Sequence, residues 1–482
     1  MIVFTLAAAA TAFQQSPCGL KGVPADFESK YGVQCGWVTV PRDGSSGKTI
    51  RLWAAKFSAR SAARKKDPIL YINGGPGIAT VDSVLPAIPD SVNLKALGQD
   101  RDIIMFDQRG SGRSEESLCP GLAKTLNAIA ASGLDPAEEE DRSRAAFVDC
   151  RSQLDKAGIG LGAYSTAATV ADVETVRKAF GVEQWNLLAI SYGTLVALHT
   201  MRMHPHTVRS AILNSPYPPN SGTWAEQASG AASAYQAIDR ACAEQPACRT
   251  RFGNIATKLE ATIARLEQDP IKDGDKKITG RLFASALWPL AVQSKTVRFV
   301  PLAIARAYSG DQPFIKKLVS VLASGDAFGD FAPAQGYAIS CHESGRTREW
   351  YARAKALYPG LVSAAPPDSW DRMCASFRPD FADAGFFAPV ASAIPTLIYA
   401  GTLDPSVPVV DAYQTMRFLS KATLIEVAGA SHAPIGADDC TRGVAVAFLR
   451  EPEAPADTSC MARRIAPQFA LDGLDEFLNG DS

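Results

Sequence analysis

The feature that most constrains this chain is a series of short apolar runs, each ending at a polar or glycine-rich loop. Residues 68–72 (PILYI), 102–106 (DIIMF), 185–190 (WNLLAI) and 210–213 (SAIL) have the character of strands buried on both faces. Helical patterns lie between them. The clearest is 171–180 (ADVETVRKAF), with Thr169 expected as its N-cap and Gly181 as its stop. Strands alternating with helices imply an α/β fold around a mostly parallel sheet. Upstream, 36–41 (GWVTVP) and 49–58 (TIRLWAAKFS) read as two strands joined by the turn at Asp43-Gly44, an antiparallel flank to that sheet. From about 216 to 387 the pattern is helical without strands, including 224–243, 255–266 and 283–292. Strands then return at 396–400 (TLIYA) and 423–427 (TLIEV), so the helical stretch is expected to be an insertion. Inserted at the carboxyl ends of the strands, it would cover the ligand crevice as a lid.

The run at 185–190 leads into Ala189-Ile190-Ser191-Tyr192-Gly193, with apolar residues suited to a helix beyond. This is the pattern of a nucleophile elbow, where a sharp strand-to-helix turn brings backbones together around a strained serine and so needs small residues at both ends. Ala189 stands where the pattern usually has glycine. Asn73-Gly74-Gly75-Pro76-Gly77 directly follows an earlier strand, and glycines there let backbone N–H groups face a developing oxyanion. The expected donors are the N–H groups of Gly75 and Tyr192. A serine at its free pKa is a weak nucleophile and needs a base held by a carboxylate. Of five histidines, His199, His204 and His206 lie along or just past the helix behind the elbow, and His342 lies beside Cys341. His432, in Gly429-Ala430-Ser431-His432-Ala433, alone follows a late strand. With nucleophile, acid and histidine in that chain order, Asp404 in Gly401-Thr402-Leu403-Asp404-Pro405 is the expected acid. Asp411, Asp438 and Asp439 read as surface or capping residues. The expectation is an α/β-hydrolase fold with a mostly parallel central sheet and a large helical lid.

The Asn73-to-Gly77 loop, the run Asp107-Gln108-Arg109-Gly110-Ser111-Gly112-Arg113-Ser114 and the elbow at Ser191 together resemble the proline iminopeptidase and tripeptidyl aminopeptidase family of serine exopeptidases. The resemblance spans nearly the whole chain. From about Ser376 to Cys460, with Asp404, His432 and Cys440, it is similar to the C-terminal domain of secreted tripeptidyl aminopeptidases. It implies hydrolysis near the free N-terminus of a peptide, with Ser191 as nucleophile, His432 as base and Asp404 as orienting acid, and with no cofactor. It also implies acidic lid residues that hold the substrate's amino group. Glu343 and Glu226 are the candidates, with Asn73, where the family commonly has histidine, as a further substrate-side residue. Arg109 is expected to bond backbone and shape its loop. The same triad would serve an esterase or amidase acting on small esters or amides, and the scaffold could also carry a catalytically inactive binding protein. Serine at the elbow, instead of aspartate, argues against epoxide hydrolase and dehalogenase chemistry.

Composition narrows the setting. A net charge of -1, without a long basic block, gives no reason to expect a nucleic acid partner, and the cluster 60–66 reads as a solvated loop. The ten cysteines include no C-x-x-C pair, and H-E-x-x-H is absent, so no metal site is expected. Taken in order they fall into five neighbouring pairs, a disulfide framework suited to export, although sequence alone leaves other connectivities open. The opening MIVFTLAAAATAFQQS resembles a truncated secretory signal without its positive n-region. It falls well short of the roughly 20 apolar residues that span a bilayer, so no membrane anchor is expected. The expected location is secreted or periplasmic. The expected units are 1–17 as signal and mature N-terminus, 18–215 as the first part of the core, 216–390 as the lid and 391–482 as the rest of the core. The sequence carries no signal for oligomeric state.

Overall fold

The structure is a computed structural model that describes residues 12–43, 47–130, 132, 134–220, 227–274, 276–322, 331–343, 355–356, 358–363, 367–377 and 382–480. Most of the expected signal segment lies outside the described residues. In chain order the strands are β1 (Gln14–Ser16), β2 (Gln34–Pro41), β3 (Thr49–Phe57), β4 (Ile69–Ile72), β5 (Ile103–Phe106), β6 (Trp185–Ile190), β7 (Val208–Asn214), β8 (Ile271–Asp273), β9 (Lys276–Ile278), β10 (Thr396–Gly401) and β11 (Ala422–Val427). Among the described residues, nine of these form one sheet in the order β1-β2-β3-β5-β4-β6-β7-β10-β11. The flank from β1 to β5 pairs antiparallel, and every pairing from β5 through β4, β6, β7 and β10 to β11 is parallel. The expected α/β fold and antiparallel flank are therefore present.

The uniformly apolar runs have a simple cause: both faces of the sheet are covered. Successive residues of a strand point to opposite faces. Accordingly Leu187 belongs to one apolar cluster with Val173, Val196 and Ile398, while its neighbour Leu188 belongs to another with Tyr71, Met105 and Tyr399. One helix cap differs from expectation. The helix after the 160s spans Thr166–Ala179, and its N-cap is Ser165, whose Oγ accepts from the Ala168 N–H; Thr169 lies inside the first turns and donates its hydroxyl to the Ser165 carbonyl. Either residue type can cap, and only the chain's approach decides which one does.

Between β7 and β10 the chain builds a helical body with its own apolar core. The helices Gln227–Glu244, Ile255–Gln268, Gly280–Val292, Val300–Tyr308 and Gln312–Leu322 bury Ile238, Leu259, Ile263, Leu287, Leu290, Ile304 and Ile315 together. Phe469, Leu474 and Leu478, from the end of the chain, join the same cluster. The stretch is not strand-free as the sequence suggests. Residues of β8 and β9 pair as a small antiparallel hairpin, a unit too short for a periodic pattern to register. A second helical layer comes from between β5 and β6. There Phe147 and Leu154, on the helix Pro136–Lys156, pack against Ala338 and Phe377 of the insertion.

The disulfides follow chain order: Cys18–Cys35, Cys119–Cys150, Cys242–Cys248, Cys341–Cys374 and Cys440–Cys460. Each closes a short loop and stabilises chiefly by restricting the unfolded chain. Among the described residues, no helix is long and apolar enough to cross a membrane.

Candidate active site

The end of β6 turns abruptly into the helix Tyr192–Met203, and Ser191 at the turn has φ 55° and ψ -130°. A positive φ is strained for a non-glycine residue and is sustained only where the surroundings enforce it. Close contact does so here. A Cβ on Gly193 would lie 2.4 Å from the Ile72 carbonyl oxygen and 2.6 Å from that of Asn73. Ala189, in contrast, is fully buried in the apolar layer beside the sheet, so its methyl group is accommodated where the common pattern has glycine.

The loop after β4 lies against the serine: a Cβ on Gly74 would be 2.8 Å from Ser191 Cβ. Asn73 turns its Oδ1 back onto the Gly74 N–H at 2.9 Å, which occupies that donor. Gly75 follows at φ +111°, a conformation open to glycine. Among the described residues, the N–H groups of Gly75 and Tyr192 have no hydrogen-bond acceptor. For Tyr192 this follows from its place as the first residue of a helix, where no carbonyl precedes it at the right spacing.

Asp404 and His432 come from the loops after β10 and β11. His432 Nδ1 lies 2.7 Å from Asp404 Oδ2, and the same oxygen accepts from Ser215 Oγ at 2.8 Å. Asp404 Oδ1 accepts from the N–H groups of Ser406 and Val407 at 2.8 and 3.0 Å. The carboxylate is buried with both oxygens satisfied, as a buried charge requires. Ser215 also accepts from the Ala433 N–H at 3.0 Å, while the Asn214 carbonyl accepts from the Ser191 N–H at 3.0 Å. The carboxyl end of β7 thus binds the elbow, the acid and the histidine loop to one another. Gly401 allows the last two to meet, since a Cβ there would be 2.0 Å from the Ser431 carbonyl oxygen.

The run from Asp107 to Ser114 supports the site and lies outside the three candidate residues Ser191, Asp404 and His432. Asp107 Oδ1 accepts from the N–H groups of Thr80 and Val81, at the start of the short helix that follows the Gly75 loop, and Oδ2 accepts from the Arg113 N–H. Burial pushes the Asp107 carboxyl up to about 6 against the pull of these donors. Gly112 is forced, because a Cβ would stand 2.3 Å from Asp107 Oδ2. Arg109 bonds the carbonyls of Pro41, Arg42 and Ala163 as expected, and also makes a two-pronged ion pair with the buried Asp172.

The helical insertion holds the same loops from the other side. At the end of the helix Gly280–Val292, the Val292 carbonyl accepts from the His432 N–H at 3.1 Å, and Ser294 Oγ accepts from the Ser431 N–H at 2.9 Å. The Ala332 N–H donates to the Gly77 carbonyl at 2.8 Å, fastening the Gly75 loop.

Glu343, a candidate for the substrate amine, is bonded within the protein. It is 3 % exposed, and its two oxygens accept from the Thr166 N–H and Thr166 Oγ1, each at 2.7 Å. Burial pushes its carboxyl up to about 8. Glu226 lies outside the described residues. Asp438 caps the helix Asp439–Arg450 and Asp439 is exposed, as expected, whereas Asp411 is buried in the first turn of the helix Val409–Met416. The sequence reading missed Ser215, Ser294 and Thr166. Small hydroxyl residues at strand ends and helix starts are common, and only their contacts distinguish these three. Among the described residues, no group of three or more His, Cys, Asp or Glu side chains could hold a metal ion.

Residues 67–268 match a family model described as alpha/beta hydrolase fold. The chain has the α/β-hydrolase fold. Residues 367–460, which carry Asp404 and His432, match a second model described as TAP-like protein. The tripeptidyl aminopeptidases of Streptomyces coelicolor and Streptomyces lividans are each 26% identical over 196 residues, 40% of this chain and 36% of the relative. The match thus spans about a third of the length of those relatives. Among solved structures, the proline iminopeptidase of Mycobacterium smegmatis aligns over 87% of this chain and 99% of its own, with a TM-score of 0.40 and 15% identity.

Proposed function

We propose that this chain is a serine hydrolase that cleaves peptides near their free N-terminus through an acyl-enzyme, outside the cytoplasm. Ser191 attacks the scissile carbonyl while His432 Nε2 takes its proton, and Asp404 holds the opposite ring nitrogen and stabilises the imidazolium that forms. The N–H groups of Gly75 and Tyr192 receive the oxyanion. His432 returns the proton to the leaving amine, then activates the water that splits the acyl-enzyme. No cofactor enters these steps. The observation that carries the reading is the buried Asp404 carboxylate, bonded to His432 Nδ1 at 2.7 Å and held by Ser215, Ser406 and Val407, on a sheet whose β6 ends in a strained serine. The named relatives support the peptide substrate, and the five disulfides support an oxidising compartment.

The test is the rate of release from alanyl and prolyl chromogenic amides, a tripeptidyl amide, its N-acetylated twin and a short-chain ester. Turnover of free-amine peptides and not of the blocked twin, lost in Ser191→Ala, is the expected result. One observation favours a second reading, an esterase or amidase: Glu343, a candidate amine anchor, is buried with both oxygens bonded to Thr166. Turnover confined to the ester, or equal rates on the blocked and free peptides, would decide for it.

A further inference from the structure

Glu343 ends the insertion helix Pro333–His342, and Thr166 opens the core helix Thr166–Ala179. The two bonds that Glu343 accepts from Thr166 therefore tie the insertion to the core at a fixed point. The chain of contacts continues. Thr166 Oγ1 lies 2.7 Å from the phenol oxygen of Tyr192, with every member buried. Tyr192 directly follows the nucleophile, and its backbone N–H is one of the two oxyanion donors in the reading above, on which this inference rests. A hydroxyl has one proton to give and can also accept. Thr166 Oγ1 can donate to a charged Glu343 and accept from Tyr192, or accept from the neutral acid and donate to Tyr192, so the chain is complete in either state.

We propose that Glu343 is a positioning residue that holds the Tyr192 side chain through Thr166 and thereby fixes the direction of the Tyr192 N–H at the oxyanion site. Seating of the insertion on the core and competence of the oxyanion hole are then one event, because a single carboxyl group belongs to both. Donor placement matters at this scale: an oxyanion donor acts fully only when aimed in advance at the point where charge develops. With its carboxyl raised to about 8, Glu343 is mostly the neutral acid at neutral pH. Glutamine has nearly the same shape. Its carbonyl can accept from the Thr166 N–H while its amide donates to Thr166 Oγ1.

The experiment compares wild type with Glu343→Ala, Glu343→Gln and Tyr192→Phe on a free-amine peptide amide, its N-acetylated twin and a short ester. Active sites are counted with a fluorophosphonate probe. Loss of a whole oxyanion donor costs about 10² to 10³ in kcat, so a loosened one in Glu343→Ala is expected to cost about tenfold on every substrate turned over, with KM little changed. Labelling of Ser191 should slow in parallel. Glu343→Gln should recover most of the rate, Tyr192→Phe should fall between, and adding Tyr192→Phe to Glu343→Ala should cause little further loss. A rise in KM confined to the free-amine peptide would overturn the proposal and make Glu343 a substrate contact. A lower thermal midpoint with unchanged kcat per labelled site would overturn it in favour of a purely structural tie. If Glu343→Ala does not fold, wild-type kcat in Tyr192→Phe overturns it as well. A wild-type enzyme that neither labels at Ser191 nor turns over any substrate instead defeats the underlying hydrolase reading.

Discussion

The sheet core and the helical insertion contribute different things to the same site. The core supplies the side chains proposed to react, each at the carboxyl end of a parallel strand: Ser191 after β6, Asp404 after β10 and His432 after β11. The insertion supplies supports, through Val292 and Ser294 on the histidine loop, Ala332 on the Gly75 loop and Glu343 beneath Tyr192. Strand ends are held by the sheet ladder and so fix where a side chain starts. The loops beyond them have no ladder of their own, and a second body pressed against them fixes where they finish.

This division of labour can be broken by experiment. The largest effect should come from the core: Ser191→Ala is expected to reduce turnover by about 10³ or more while the thermal midpoint stays near that of wild type. Equal loss of both would mean that the serine is structural. Leu287, buried in the insertion's own cluster, should show the reverse behaviour. Leu287→Ala is expected to cost about 2–5 kcal/mol of stability by equilibrium denaturation, with turnover per labelled site reduced far less than in Ser191→Ala. A loss of turnover as deep as the serine variant's would erase the distinction between the two bodies. At the junction, Gly401→Ala forces a methyl group onto the Ser431 carbonyl. It is expected to cost about 1–3 kcal/mol and to displace the histidine loop, read as a fall in kcat together with a lower midpoint.

A pH-dependent effect is expected at Glu343. Its carboxyl is raised from 4.5 in the ordinary state to about 8 by burial, with Tyr192 the other titratable group facing it. The folded state therefore holds a proton that the unfolded chain gives up above pH 4.5. Stability from this group is fully present below that pH and is lost as pH rises toward 8. Denaturation of wild type and Glu343→Gln across that range should show the wild type losing stability relative to the variant, and parallel curves would mean that the carboxyl is not raised.

Most of the core was legible in the sequence because its signals are local. A strand buried on both faces has to be apolar throughout, so β4, β5, β6 and β7 stand out within a residue or two of their bounds. Backbone crowding at Gly193 admits no side chain, and that requirement marks the elbow. The order of serine, acid and histidine then picks Asp404 and His432 from many carboxylates and five histidines. Ser215, Ser294 and Thr166 carry no such mark. Their roles depend on what lies across a gap of more than a hundred residues, as between Ser294 and Ser431.

Glu343 shows the limit most clearly. The sequence determined an acidic residue in a helical insertion of an α/β-hydrolase fold, and the resemblance to exopeptidases pointed it at a substrate amine. Its partner was decided in three dimensions, where the helix that ends at His342 delivers it to the first residue of the helix opened by Thr166. Local sequence sets which backbone shapes are possible and which faces must be buried. The direction a buried polar group turns is set by the nearest donor able to satisfy it, and tertiary packing alone chooses that donor.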